Sequence, residues 1–231
     1  MSVFERMLPA LDKQFRVTRV NLPGYGRSMP RVLSSVADYA DHVAAILDQL
    51  KLPPATHIFG NGFGAFVALL LALRHGRRFN RLILADAVAT FPEAARVPFR
   101  AMSEKVTTIG MSAVLDAAIG RMFPPAFSSA HPDEVALRKA ALARADAGAF
   151  SRACLALASL DTTAALGSIT NPTLVLCGAL DLTTPPALAA ALAQGIPGAH
   201  YQEIADCGHC PMVEQPAALV ADIEDFLRLP Q

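Results

Sequence analysis

Apolar positions along the chain change their period several times, and each change marks an element. Val3, Phe4, Met7, Leu8 and Leu11 recur at helical spacing, and FRVTRVNL (15–22) then reads as a short strand before the loop PGYGRSMP (23–30). Val36, Tyr39, Val43, Ile46, Leu47 and Leu50 form one helical face, with Ser34 and Ser35 as candidate N-caps and Pro53 and Pro54 as the stop. ATHIFG (55–60) reads as a strand, 63–75 as an apolar helix and RLILADA (81–87) as another strand. From Phe91 to about Gly167 the strand signals cease, and alanine-rich helical stretches carry prolines at 92, 98, 124, 125 and 132. Strand and helix alternate again through PTLVLCG (172–178), a helix from Pro185 to about Gln194, AHYQEIA (199–205) and a helix over 216–228. The pattern predicts an α/β architecture with a mainly parallel sheet. Its core comprises 1–90 and 168–231, and 91–167 forms a helical cap.

Composition narrows the partners. The 20 basic and 20 acidic residues cancel, so no long-range field favours nucleic acid or an anionic membrane, and binding depends on a local site for a small molecule. The longest apolar run, Ala65 to Leu73, is far shorter than the roughly 18 residues that a membrane span needs. Glu5, Arg6, Asp12 and Lys13 interrupt anything resembling a signal-peptide core. Four cysteines, at 154, 177, 207 and 210, are too few and too unevenly spaced for a disulfide framework, which fits a reducing, cytoplasmic setting.

The chemistry centres on HIFGNGFGAFVALLLALRHG (57–76). Gly60, Asn61, Gly62, Phe63 and Gly64 spell G-N-G-F-G between a strand and a helix, where hydrolases that build a nucleophile elbow carry G-x-S-x-G. The frame is present and the hydroxyl is absent. Asp181, in CGALDLTTPP, and His209, in ADCGHCPM, each follow a strand, where open α/β sheets collect functional groups. A lone Asp in a turn is usually a turn former, and a lone His is usually a packed or surface residue. What singles these two out is their order behind position 62, that of nucleophile, acid and base. A carboxylate on Nδ1 fixes the imidazole tautomer and stabilises the imidazolium, leaving Nε2 to move protons. Asp86, ending LILADA, is the alternative acid. The bland reading of the charge cluster from Arg74 to Arg81 is a solvated helix end.

Cys207, Gly208, His209 and Cys210 also spell C-G-H-C, the motif of disulfide isomerases, but there it opens a helix near the front of a shorter thioredoxin-like domain. Here it lies near the C-terminus and runs into Pro211. A single C-x-x-C supplies two thiolates and no second cluster completes four ligands, so no zinc or other metal site is expected there.

NLPGYGRSMP, GNGFGAFVALLLALRHG with RLILADA, PTLVLCGALDLTTPP and CGHCPMVEQP resemble the successive signatures of the α/β-hydrolase superfamily. FRAMSEKVTTIGMSAVLDAAIGRMFPPAF (99–127) is similar to the cap of bacterial 3-oxoadipate enol-lactonases. The resemblance implies an α/β-hydrolase fold and cofactor-free hydrolysis of lactones, esters or related carbonyl compounds. It makes His209 the base, Asp181, which precedes LTTPP, the acid, and the backbone N–H of Phe63 an oxyanion donor; Asn21 organises its loop.

Two departures bear on activity. The nucleophilic serine corresponds to Gly62, so no acyl-enzyme forms there. Members of the family also begin with two or three strands and an H-G-type loop that supplies a second oxyanion donor, whereas this sequence opens at the first helix. With those N-terminal strands missing, the sheet has a gap between FRVTRV and ATHIFG unless the two pair directly or the natural protein is longer. The expected function is therefore a weakly active or inactive relative of lactone and ester hydrolases, rearranged or truncated. The alternatives are a noncatalytic protein that binds a small molecule beneath the cap, and a fragment that needs a partner.

Overall fold

Four strands pair in parallel in the computed structural model, which describes residues 3–229. They are β1 (Ile58–Asn61), β2 (Leu82–Ala85), β3 (Thr173–Gly178) and β4 (His200–Ile204), and they lie side by side in chain order. Parallel neighbours need long crossovers, and helices supply them. Ahead of the sheet come α1 (Leu8–Leu11) and α2 (Val36–Gln49), and α3 (Phe63–His75) crosses from β1 to β2. Between β2 and β3 lie α4 (Glu93–Thr108), α5 (Leu115–Met122), α6 (Pro125–Ala130), α7 (Pro132–Ala143) and α8 (Ala147–Ala158). Then α9 (Pro186–Gly195) crosses to β4, and α10 (Pro211–Glu214) and α11 (Pro216–Arg228) follow.

The two central strands are buried at every position, as expected of parallel strands covered on both faces. Their alternation divides the core. Leu82, Leu84, Val175 and Cys177 pack with residues of α2, α3 and α9, while Ile83, Ala85, Leu174 and Leu176 pack with Met7 and with Ile223 and Phe226 of α11. Helix α3 lies between α2 and the sheet, which is why its sequence is apolar on nearly every side.

Local rules account for several helix starts. Ser35 accepts from the Asp38 amide, and the Asp38 carboxylate accepts from the amides of Ser34 and Ser35, a capping box that starts α2. Pro92 and Pro124 are N-caps, and Pro125 and Pro132 open helices, positions that need no N–H. Pro98 departs from this by lying inside α4.

The strand expected over 15–20 does not form. The segment has no regular secondary structure and is almost wholly exposed, and among the described residues β1 pairs with β2 alone. The apolar residues of FRVTRV meet no sheet face that would bury them: Phe15 reaches His57 edge-on at 6.4 Å, while Val17 and Val20 remain exposed. Direct pairing of FRVTRV with ATHIFG is thus replaced by an open edge, partly covered where Phe4 meets Phe59 at 5.6 Å. The first helix is also shorter than expected, spanning Leu8–Leu11 after a series of turns, with Met7 buried against the sheet. No helix among the described residues is long and apolar enough to cross a membrane.

Candidate active site

The end of β1 turns into α3 within two residues. A Cβ on Gly60 would lie 2.3 Å from the Gly64 carbonyl oxygen, so a side chain there is sterically excluded. Gly62, at the tip, has φ 51° and ψ −124°, a conformation that glycine adopts at little cost. Its amide donates to the Ala85 carbonyl at the end of β2 (3.0 Å), and its carbonyl accepts from the amides of Ala65 and Phe66 (2.9 and 3.2 Å). The amides of Phe63 and Gly64 precede these first bonds of α3 and point out of its N-terminus.

His209 faces this turn. A Cβ built on Gly62 would stand 3.1 Å from His209 Nε2. On the other side of the ring, Nδ1 lies 2.8 Å from Asp181 Oδ2. Asp181 sits in the loop between β3 and α9, and that loop closes around its carboxylate. Oδ1 accepts from the amides of Thr183 and Thr184 (2.7 and 3.1 Å), and Oδ2 accepts from the Thr184 hydroxyl (2.5 Å). Burial works to raise the Asp181 pKa, but the His209 hydrogen bond and charge and the Thr184 donors outweigh it and hold it at about 2. Burial likewise works to lower that of His209, and the bond and charge of Asp181 leave it raised above the ordinary 6.5.

A cavity of about 150 Å³ opens from Gly62 and His209 toward α4, α5 and α8. Its walls are mainly apolar, with Phe66, Phe91 and Phe99 prominent, and Arg121 reaches it from α5.

A profile of the alpha/beta hydrolase family matches residues 1–223. The chain belongs to the alpha/beta hydrolase family. It is 28% identical over 229 residues to 3-oxoadipate enol-lactonase 2 of Acinetobacter baylyi, covering 99% of this chain and 84% of that protein. It is 32% identical over 240 residues to the pimeloyl-[acyl-carrier protein] methyl ester esterase of Aromatoleum aromaticum, covering 98% and 93%. The crystal structure of the enol-lactonase from Burkholderia xenovorans LB400 superposes with a TM-score of 0.91 at 29% identity, covering 99% of this chain and 86% of that one. The chain therefore has the alpha/beta-hydrolase fold and relatives that act on lactones and esters.

Around the His209–Asp181 pair, this alpha/beta hydrolase carries supports to which the sequence reading assigned no role. Asn61 Nδ2 donates to Asp86 Oδ2 (2.6 Å) and to the His209 carbonyl (3.3 Å). Glu214 accepts from the amides of Gly208 and Cys210 (2.8 and 2.9 Å), one on each side of His209, and the His209 amide donates to the Met122 carbonyl (3.0 Å). Asn61 and Glu214 both lie inside the quoted motifs, yet only the fold shows what they touch.

Asp86, the alternative acid, is fully buried at a positive φ of 55° and accepts from Asn61 and from the Gly178 amide (3.0 Å). The carboxylate that meets His209 Nδ1 is that of Asp181 (2.8 Å), with the Thr184 hydroxyl farther off at 3.4 Å; Asp86 lies beside the pair, and burial pushes its pKa up to about 8. Asp86, Asp181 and His209 bring one donor atom each within 4.8 Å. Both oxygens of Asp181 are already held by Thr183, Thr184 and His209, an arrangement suited to moving a proton rather than ligating a cation. Burial raises the thiol pKa values of Cys207 and Cys210 above the ordinary range, which opposes thiolate redox chemistry in the C-G-H-C segment.

Proposed function

We propose that this chain is a lactone- and ester-directed member of its family in which Gly62 stands at the nucleophile position, so that serine chemistry is disabled and hydrolysis is weak or absent. The observation that carries the reading is the 3.1 Å between His209 Nε2 and the point where a Cβ on Gly62 would sit. A hydroxyl carried there falls within reach of the imidazole, and Asp181 already sets the tautomer that would accept its proton. The helices over 91–167 serve as the cap, and 1–90 with 168–231 as the core.

Without the hydroxyl, His209 is left to activate a water in its place, while the Phe63 amide faces the developing oxyanion. Losing the nucleophile removes most of a triad's rate enhancement, and the remaining site retains about 10³ to 10⁴ over water. Any residual activity needs neutral imidazole, so it rises with pH through the raised pKa of His209, above 6.5.

Installing Gly62→Ser and assaying aryl esters and enol-lactones tests the reading. The expected result is a rise in turnover of about 10² or more, reversed by a further His209→Ala change. A well-folded serine variant with no gain removes the proposal. A second reading, a noncatalytic binder of small molecules, is supported by the aromatic cavity that opens beside an elbow without a nucleophile.

A further inference from the structure

We propose that inorganic phosphate binds in a second cavity, of about 170 Å³, where Arg138 and Arg6 hold its oxygens and Glu134 accepts a hydrogen bond from its hydroxyl. This cavity lies between residues 3–6, α7 and α10. It shares no lining residue with the aromatic cavity, so the proposal is independent of what stands at position 62.

The observation that points to a ligand is the state of Arg138. Helix α7 carries Glu134, Leu137 and Arg138 on one face, at i, i+3 and i+4, and Arg138 is turned inward until it is 8% exposed. Its Nε stands 3.0 Å from Glu134 Oε1 without the alignment of a hydrogen bond, and Nε and Nη1 are both buried with no hydrogen-bond partner among the described residues. Buried donors are normally bonded, and a guanidinium cannot escape the cost by giving up its proton. Arg6 reaches the same carboxylate from another segment. Its Nη2 lies 2.8 Å from Glu134 Oε2, and its Nη1 donates to the Val213 carbonyl (3.0 Å).

Arg6, Arg138 and Glu134 together leave one positive charge. Glu5 also lines the cavity, and Arg19 matches it at 2.7 Å. Around them, Lys139 pairs with Asp116, Asp133 is exposed outside the lining, and the Glu214 carboxylate is taken up by the amides of Gly208 and Cys210. The site therefore favours an anion. Guanidinium forks arriving from two segments suit an ion with oxygens in several directions, four in phosphate against two in a carboxylate. Glu134 then decides among tetrahedral ions. It repels one that carries no proton, such as sulfate, but accepts from the hydroxyl that phosphate keeps at neutral pH. Val3, Leu137 and Val213 form the apolar part of the wall, where such bonds are stronger than in water.

Calorimetric titration of the full chain with phosphate and with sulfate, at pH 7.5 and fixed ionic strength, tests the proposal. Phosphate is expected to bind with a Kd of about 1 mM or below, and about tenfold or more tightly than sulfate. Arg138→Met is expected to weaken phosphate about tenfold or more, with folding checked by its thermal midpoint; if that variant does not fold, Arg6→Met at the half-exposed partner reads the same loss. Glu134→Gln can donate as well as accept, so it should bring sulfate to within about threefold of phosphate. No phosphate binding by the folded parent, equal binding of the two ions, an arginine variant that binds phosphate as before, or a folded Glu134→Gln that still rejects sulfate would each overturn it. Methyl phosphate separates the free ion from an ester, because it has lost its last proton above about pH 6 and should bind no better than sulfate at pH 8. Binding as tight as that of phosphate would remove the hydroxyl contact and with it the proposal. Phosphate affinity is expected to be the same in Gly62→Ser, so either reading can fail without the other.

Discussion

Gly62 and Asp86 both have positive φ at the ends of neighbouring strands, and their chemistry pulls stability in opposite directions. Replacing Gly62 by serine keeps a backbone conformation that a side chain finds costly, by about 1 to 3 kcal/mol, and asks the imidazole to retreat by a few tenths of an ångström. Gly62→Ser is therefore expected to lose about that much stability in urea denaturation even as it gains esterase activity; unchanged stability would show that the turn bears no strain. Asp86 is different, because its cost depends on pH. Its pKa is about 8 when folded and near 3.8 when unfolded, so between those values the native state binds the extra proton. Stability then falls as pH climbs from about 4 to about 8, by an amount on the order of several kcal/mol. Asp86→Asn, neutral throughout, should flatten that decline across urea midpoints measured at pH 5, 7 and 9. Parallel curves for the two proteins would mean that Asp86 ionises freely in the fold.

Elements differ in how much of them a sequence can show. Helices α3 and α11 have the bounds that periodicity and prolines suggest, and α2 starts at Ser35 because its capping box is written in four consecutive residues. Such signals are local, so they survive without knowledge of the rest of the fold. Ser35→Ala removes one half of that box, and a loss of about 1 kcal/mol is expected, read as a fall of about 2 to 4 °C in the thermal midpoint. No shift would leave α2 held by its buried face alone. Strands are not local in this way. FRVTRV has the residue types of a strand, yet a strand exists only beside a partner, and the residue types do not say whether one is there. The site divides along the same line. Position 62, Asp181 and His209 stand out together because each follows a strand and their order is informative; in the fold His209 Nδ1 lies 2.8 Å from Asp181 Oδ2, and Nε2 faces Gly62. Asn61, Asp86 and Glu214 owe their roles to contacts among the ends of different strands and to the loop before α10, which no spacing encodes.

The molecule as a whole ties the helices over 91–167 to the sheet through an unbroken apolar path rather than through a hinge. Phe66 of α3 meets Phe91 at 5.5 Å, Phe91 meets Phe99 of α4 at 5.0 Å, and Cys154 and Leu157 of α8 belong to the same buried cluster as Leu82 and Leu84. A layer that shares its core with the sheet cannot unfold without exposing the sheet's own apolar surface, so the described chain should melt as one unit. Phe91 is the link on which this depends, since it touches an aromatic ring of each layer and is 2% exposed. Phe91→Ala is expected to cost about 3 to 5 kcal/mol, by lost burial and by the cavity left behind. In scanning calorimetry the parent chain should show a calorimetric enthalpy equal to its van't Hoff enthalpy, and the variant a single transition at lower temperature. Two resolved transitions in the parent would contradict the shared core. A variant that splits into two while the parent shows one would locate the coupling between layers at this ring.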